Sequence, residues 1–217
     1  MIRFPRAAKL ALPFALAALA APSLSQLPST PPGTLDKSRV TAGNYTVDTT
    51  HSMIAWRVNH LGFNDYFGLF GQLGGSMTFD PANPAATQLT ATIPVSKVVT
   101  VDQALTAHLT KPAPEGGKPD FFGANAADAT FVSTKVTPGA DGMSATVDGN
   151  LTLGGVTKPA SFTAHFTGAG TNFFNKAPTI GFHGESTIKR SDFGLGFFAP
   201  LVADEVKLEI TIAFEKK

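Results

Sequence analysis

The chain is dominated by long runs in which apolar and polar residues alternate strictly. In residues 52–60, Ile54, Trp56 and Val58 alternate with Met53, Ala55 and Arg57. The same period of two recurs in residues 160–166, 180–188 and 206–214. Because successive side chains of a strand point to opposite faces, this pattern is typical of half-buried β-strands and not of helices.

About eight such runs, most of them longer than an average strand of five to six residues, predict an all-β fold. We expect a closed antiparallel barrel of about eight strands, because glycines at 68, 71, 74 and 75 interrupt the runs where a closing sheet must bend. A β-sandwich is the alternative, although its strands are normally shorter. Weak helical spacing in residues 101–109 predicts one short helix.

The predicted interior is rich in phenylalanine and poor in hydroxyl groups. The chain has 18 Phe and only two Tyr. Small residues at 91, 145, 149, 164 and 184 share the inward faces with large ones. A barrel of about eight strands either fills its interior with side chains or holds one small ligand. Small residues favour a cavity, but they also suit an interior in which they interlock with Phe, so both interpretations stay open.

The N-terminus has the three parts of a secretory signal peptide. Arg3, Arg6 and Lys9 precede an apolar stretch at 10–21, and small residues typical of cleavage sites follow. The apolar stretch is shorter than the ~20 residues that span a bilayer. We therefore expect residues 1–25 to be removed on export, and no transmembrane segment to remain.

Residues 26–43 carry three Pro in their first seven positions, together with Ser and Thr. This composition predicts a flexible Pro-rich leader. The folded domain is then expected at 44–217.

Composition excludes several classes of function. Without Arg3, Arg6 and Lys9 the chain has 14 basic and 16 acidic residues, or about −2 in formal charge, and no basic stripe that suggests nucleic acid. Cysteine is absent, which rules out disulfides, thiolate metal sites and a cysteine nucleophile. Glycine pairs such as 154–155 lie in turns and form no nucleotide-binding loop.

Histidine is the remaining candidate for chemistry. The five His show no helical metal-site spacing, and no Gly-x-Ser-x-Gly elbow is present. His51 and His60 are nine residues apart, so on one regular strand they face opposite ways. Arg57 and Arg190 lie in or beside apolar strands, where each either holds a polar ligand head or forms an ordinary ion pair. A metal centre is not predicted.

Nine stretches in order resemble the YceI-like family of bacterial periplasmic proteins, and together they cover about residues 44–217. They are YTVD at 45–48 with HS at 51–52, VNHLG at 58–62, FGLFG at 67–71, AHL at 107–109, DFF at 120–122, ATF at 129–131, GNLTLGGVTKP at 149–159, RSDFGL at 190–195 and DEVKL at 204–208. The chain departs from the family pattern at 111–118, which is lengthened by Pro and Gly, and at 123–128.

The resemblance implies an extended, lipocalin-like antiparallel β-barrel whose apolar channel binds or transports a polyisoprenoid chain, such as a quinone or prenyl lipid, in the periplasm. It implies no catalysis and no cofactor. A homodimer stays open. Two other hypotheses are kept: a His- or metal-dependent isomerase or hydrolase in the same barrel, and an envelope partner-binding module with a filled barrel.

Together, the inward faces and the implied channel predict the ligand site. We predict an apolar lining formed by Ile54, Trp56, Val58, Phe79, Leu89, Ile93, Leu151, Phe162, Phe166, Phe182, Leu208 and Ile210. We predict a polar rim formed by His51, His60, His108 and Arg190.

Overall fold

The structure is a computed structural model and describes residues 28–217. Most of these residues lie in antiparallel strands. The compact unit spans Pro32–Lys217. Its strands are β1 (Gly43–Val47), β2 (Met53–His60), β3 (Asn64–Gly71), β4 (Gly74–Phe79), β5 (Gln88–Ile93), β6 (Val98–Val99), β7 (Ala129–Pro138), β8 (Ser144–Leu153), β9 (Val156–Thr171), β10 (Pro178–Lys189) and β11 (Val202–Lys216). The one α-helix of this region is α1 (Gln103–Leu109). Short 3₁₀ turns include Lys37–Arg39 and Arg190–Phe193. No helix within the described residues is long and apolar enough to cross a membrane.

Eight of these strands close into a barrel, in the order β1–β4–β5–β7–β8–β9–β10–β11 and back to β1. All the pairings are antiparallel, and the prediction of an eight-stranded antiparallel barrel with one short helix is confirmed. Closure leaves the barrel without free strand edges.

The long strand β11 changes partner along its length and thereby extends the sheet beyond the barrel. Its last residues pair with β1, where Phe214 lies opposite Val47. Its first two thirds pair with β2, where Leu208 lies opposite Trp56. β3 and β6 continue outward from β2. The sequence predicted that β2 is a strand of the barrel, whereas most of β2 belongs to this outer extension.

A β-bulge in β7 changes which residues of that strand face inward. The register against β8 shifts between Ser133 and Lys135. On either side of it Phe131 and Val136 are both buried, at 7% exposure, although one has an odd number and the other an even number. Val132 is 48% exposed. A bulge adds one residue to one strand, so a simple period of two fails across it.

Helix α1 and the loop after it cover the outer extension. Asp102 caps the helix by accepting a hydrogen bond from the Ala104 N–H at 2.8 Å. Leu109 is buried with Trp56 and Val98, and Phe121 and Phe122 of the loop pack against the same cluster. Helix α1 thus buries one side of this second apolar cluster.

Residues 32–41, which we call the strap, lie against the barrel. Thr34 and Ala169 exchange backbone hydrogen bonds of 3.1 and 2.9 Å, and Val40 is buried in the main core. The Tyr45 hydroxyl donates to the Thr41 carbonyl at 2.5 Å. The structure thus differs from the predicted flexible leader over residues 32–43. Residues 26 and 27 and the predicted signal peptide lie outside the described residues.

Two glycines of β9 explain why the strap can approach so closely. A Cβ atom added to Gly170 would come within 2.1 Å of the Pro32 carbonyl oxygen, and one added to Gly168 within 3.2 Å of that of Thr34. Glycine inside a strand often marks such a close approach of another backbone segment.

We expect Gly170→Val to detach the strap from β9, because its side chain occupies the position of the Pro32 carbonyl group. Limited proteolysis should then cleave within residues 32–41 at least about tenfold faster, since cleavage follows the population of the opened segment. Gly33→Ala is the control, because no atom lies within 4 Å of the added methyl group. Equal cleavage rates in the two variants would contradict the assignment.

Candidate ligand cavity

The barrel encloses a cavity of about 490 Å³. Its walls are almost entirely apolar and come from seven of the eight barrel strands, all but β1, with Ile54 and the strap adding to them. Ten of the twelve predicted lining residues are among them: Ile54, Phe79, Leu89, Ile93, Leu151, Phe162, Phe166, Phe182, Leu208 and Ile210. The volume lies within the range of about 300–1,000 Å³ that ligand pockets occupy.

A row of small residues creates the space. Ala164 on β9 lies opposite Ala145 on β8 and Gly184 on β10, and all three residues line the cavity. Larger rings lie on either side of the row on β9, at Phe162 and Phe166. The sequence left a cavity and a filled interior open, and the structure shows a cavity.

The cavity opens at one end of the barrel, which we call the mouth. The residues that line the mouth are exposed or half-buried and come from the β4–β5 turn, the β7–β8 turn and the strap, and they include Pro81, Pro138, Gly142 and Lys37. Ile54 and Ile93, toward the opposite end, are buried at 9% and 7% exposure. A ligand would therefore enter between the two turns and the strap.

Trp56 and Val58 do not line this cavity. Trp56 is buried in the second cluster with Val98 and Leu109, and Val58 packs against that cluster. Both residues lie on the same face of β2 as Ile54, as the sequence predicted. They lie beyond the end of the barrel, however, because β2 pairs with β11 and β3 in the outer extension.

The three predicted rim histidines also lie away from the cavity lining. His51 is in the turn before β2, with its Nδ1 atom 2.7 Å from Asp48 Oδ2 and its side chain 72% exposed. His60 is exposed at the end of β2. His108 Nε2 lies 2.9 Å from Asp120 Oδ2, and its ring meets the edges of Phe121 and Phe197. No three His, Cys, Asp or Glu side chains within the described residues form a group that could hold a metal ion.

Arg190 is an internal clamp of the fold. It is 6% exposed. Its Nε donates to the Ala203 carbonyl at 2.9 Å, its Nη2 to that of Val202 at 2.7 Å, and its Nη1 to those of Leu195 and Phe197. A guanidinium has five N–H donors. Since four of them bind the backbone, Arg190 does not form the predicted polar rim.

The Asp204 carboxylate lies near the charge of Arg190 and is held by hydrogen bonds from Ser191. Burial lowers the pKa of the Arg190 guanidinium, and the nearby Asp204 carboxylate opposes that shift. Asp204 accepts hydrogen bonds from the Ser191 hydroxyl at 2.6 Å and the Ser191 N–H at 2.8 Å, and chiefly the hydroxyl holds the pKa of Asp204 below its usual value. These residues lie at the connection between β10 and β11, at the end of the barrel opposite the mouth.

Sequence reasoning missed the contribution of the strap. Lys37 and Val40 line the cavity, although both were assigned to a flexible leader. One signal was present: Gly168 and Gly170, spaced by one residue in an otherwise regular strand, indicate that another backbone segment lies against it.

Comparison with known proteins identifies the family. The model of the YceI-like domain matches residues 45–214. The chain belongs to the YceI-like family. A UPF0312 protein of Pseudomonas paraeruginosa is 37% identical over 175 residues, which are 79% of this chain and 86% of that protein. The YceI-like domain thus covers almost the whole barrel and its outer extension.

Solved structures show the same YceI-like fold. BcnA of Burkholderia cenocepacia aligns with a TM-score of 0.64 and 27% identity over 77% of this chain and 98% of that one. A polyisoprenoid binding domain from Saccharophagus degradans, implicated in plant cell wall breakdown, aligns with a TM-score of 0.56 over 80% of this chain and 98% of that one. At 16% identity the second comparison shows the fold alone.

Proposed function

We propose that this YceI-like protein is a non-catalytic carrier that binds a polyisoprenoid lipid in its barrel cavity. The observation that carries the proposal is the apolar cavity that opens at the mouth. Lys37 is the one Lys, Arg, Asp or Glu among its lining residues, and it lies at the mouth. Walls of this kind suit a hydrocarbon chain and offer few groups to a polar substrate.

The size of the cavity limits the length of chain that it holds. A cavity of about 150 Å³ accommodates benzene, which corresponds to roughly 25 Å³ per carbon. On that scale the 490 Å³ of this barrel holds on the order of 20 carbons. A prenyl chain of about four isoprene units therefore fits, and a longer chain must extend through the mouth.

The free energy of burial is sufficient for binding. About 0.8 kcal/mol is gained for each buried CH₂ group. Twenty carbons therefore contribute on the order of 16 kcal/mol, against roughly 4–15 kcal/mol lost on association and ordering. The difference, about 1–12 kcal/mol in favour of binding, supports a soluble carrier for a molecule that water dissolves poorly.

Three further points support the proposal. The Saccharophagus domain with this fold is itself a polyisoprenoid binding domain. The lining residues carry no pair of titratable groups poised for acid–base chemistry, because Lys37 and His183 are the only titratable ones. The signal peptide predicted at 1–25 supports a periplasmic location. A quinone and a prenyl alcohol or phosphate are all compatible with the apolar walls.

Extraction of the purified protein with organic solvent tests the proposal. Mass spectrometry should detect a prenyl lipid in about equimolar amount, and protein stripped of lipid should bind added geranylgeraniol with one site. No co-purifying prenyl lipid together with no binding of geranylgeraniol would refute the proposal.

A further inference from the structure

Four exposed apolar side chains lie together at the end of the barrel opposite the mouth, and we call them the tip. They are Leu61 and Phe63 in the β2–β3 turn and Phe198 and Leu201 in the loop before β11, and they are 45%, 87%, 56% and 58% exposed. We propose that the tip is a docking site for the surface of a lipid bilayer. This inference goes beyond the carrier function, because it does not depend on what the cavity holds.

Backbone hydrogen bonds bring the two segments of the tip together. The Leu61 N–H donates to the Leu201 carbonyl at 2.9 Å, and the neighbouring residues His60 and Val202 pair across β2 and β11. The Val202 N–H in turn donates to the Phe198 carbonyl at 3.0 Å. The exposed side chains of the two segments therefore form one patch, although the segments are far apart in the chain.

Both segments of the tip are held in place by hydrogen bonds. The Arg190 guanidinium donates to three carbonyl groups of the longer segment, at residues 195, 197 and 202. In the β2–β3 turn, the Gly62 N–H donates to the Asn59 Oδ1 atom at 2.9 Å. Apolar groups on a backbone that is already fixed lose little conformational freedom when they bind a partner. The tip is thus prepared for binding.

Two residues of the tip have a backbone conformation that is unfavourable for their type. Leu61 and Phe198 have φ angles of 58° and 60°, in the left-handed region that residues with a Cβ atom rarely adopt. Strain of this kind is concentrated at functional sites, where the surrounding structure maintains it. Both side chains are about half exposed, so burial in the fold does not account for a large apolar residue at either position. The strain therefore indicates a function for the patch.

Charge identifies a bilayer as the partner. Residues 61–64 and 194–203 contain no Asp, Glu, Lys, Arg or His. Charged side chains are costly in the apolar part of a bilayer, and the tip enters it without that cost. Binding strength at a bilayer surface grows with the apolar area that is buried there. We therefore expect the tip to bind neutral lipids and to need no anionic head groups.

Size argues against a protein as the partner. At exposures of 45–87%, the four side chains of the tip offer roughly 500 Å² of apolar surface. A stable protein interface takes about 800 Å² from each partner. A patch of this size is too small for a stable dimer, whereas a bilayer surface requires no minimum area.

Docking at the tip orients the protein on the bilayer. β10 ends and β11 begins at the tip, and both strands run between this end of the barrel and the mouth end. The mouth then faces away from the bilayer. The site holds the protein at a membrane and leaves the mouth open to the aqueous side.

Binding to phosphatidylcholine vesicles tests the proposal. We expect purified protein to co-sediment with the vesicles, and Phe63→Ser to weaken this binding at least about tenfold, because Phe63 is the most exposed side chain of the tip. The affinity should change less than about twofold between roughly 0.1 and 1 M NaCl, since the tip has no charge to be screened.

Phe174→Ser is the matched control. Phe174 is also 87% exposed. It lies in the β9–β10 turn at the mouth end, because β9 continues to Thr171 beyond the pairing of His165 with Ser144 at the β7–β8 turn. This variant should bind vesicles as wild-type protein does. Urea denaturation should show that both variants are as stable as wild type, since both side chains are exposed.

A tryptophan at the tip measures insertion directly. Trp56 is the only Trp of the chain and is 9% exposed. In vesicles of dibrominated phosphatidylcholine, Phe63→Trp should lose the emission of the added Trp by quenching. Phe174→Trp should be quenched no more than wild-type protein.

Each outcome supports or refutes the docking site. Absence of vesicle binding by wild-type protein refutes it, and a change of oligomeric state in Phe63→Ser would then identify a second copy of the chain as the partner. Equal binding by Phe63→Ser and wild type refutes it, as does loss of binding in Phe174→Ser alone, which would place the contact at the mouth. Geranylgeraniol affinity should be unchanged in Phe63→Ser, so failure of the docking site leaves the carrier proposal intact.

Discussion

Replacing Ala164 with Phe is expected to abolish prenyl-lipid binding while leaving the barrel folded. Ala164 lies in the centre of the row of small residues, between Ala145 and Gly184. An added phenyl ring takes a volume of about 150 Å³, or roughly six carbons of ligand. Losing burial of six carbons corresponds to about 5 kcal/mol, so we expect geranylgeraniol to bind at least about a hundredfold more weakly.

Stability distinguishes this result from simple misfolding. Filling a cavity with an apolar side chain usually leaves the free energy of unfolding unchanged or raises it. Thr163→Phe is the matched control, since Thr163 is exposed on the outer face of the same strand. Isothermal titration and urea denaturation of both variants give the two quantities. Wild-type affinity in a folded Ala164→Phe protein would show that the lipid binds elsewhere.

Replacing Arg190 with Met is expected to cause a large loss of stability. Met keeps the apolar stem but removes the donors to four part-buried carbonyl groups, at residues 195, 197, 202 and 203. Leaving a carbonyl group without its donor costs about 1–3 kcal/mol where water cannot replace that donor, so we expect the free energy of unfolding to fall by about 3 kcal/mol. Urea denaturation with an unchanged m-value measures the change.

Arg57→Met is the control for losing a positive charge. Arg57 is 3.4 Å from Asp65, and both side chains are more than a third exposed. Exposed ion pairs contribute about 0–1 kcal/mol, so this variant should differ little from wild type. A loss below about 1 kcal/mol for Arg190→Met would instead show that the carbonyl groups find other partners.

The alternation of apolar residues was sufficient to predict the barrel and most of its lining. Phe162, Phe166, Ile210 and their neighbours lie on regular stretches of β9 and β11, where a period of two holds without interruption. The short helix was also predictable, since Leu105 and Leu109 are four residues apart and face the same cluster. These features depend on local periodicity, which the sequence contains directly.

Features that depend on pairing partners were not predictable from periodicity. Trp56 and Val58 have the correct parity for a barrel strand, but only the pairing of β11 with β2 places them outside the cavity. The bulge between Ser133 and Lys135 changes which residues of β7 face inward, and no Gly or Pro at the bulge marks it in the sequence.

The structure places the four residues predicted for the polar rim outside the cavity lining, and the reason is related. An Arg at the end of an apolar strand is equally compatible with a ligand head and with buried carbonyl groups, and only tertiary structure shows the four carbonyl groups around Arg190. The strap was missed because its Pro-rich composition is typical of linkers. Its contacts with Gly168 and Gly170 are more than 130 positions away in the chain.

A crystal structure of the protein grown with geranylgeraniol tests the central claim most directly. We predict one prenyl chain inside the barrel, packed against Ala164 and Phe166, with its hydroxyl group at the mouth near Lys37. An empty barrel at saturating ligand, or a prenyl chain bound only on the outer surface, would contradict the account.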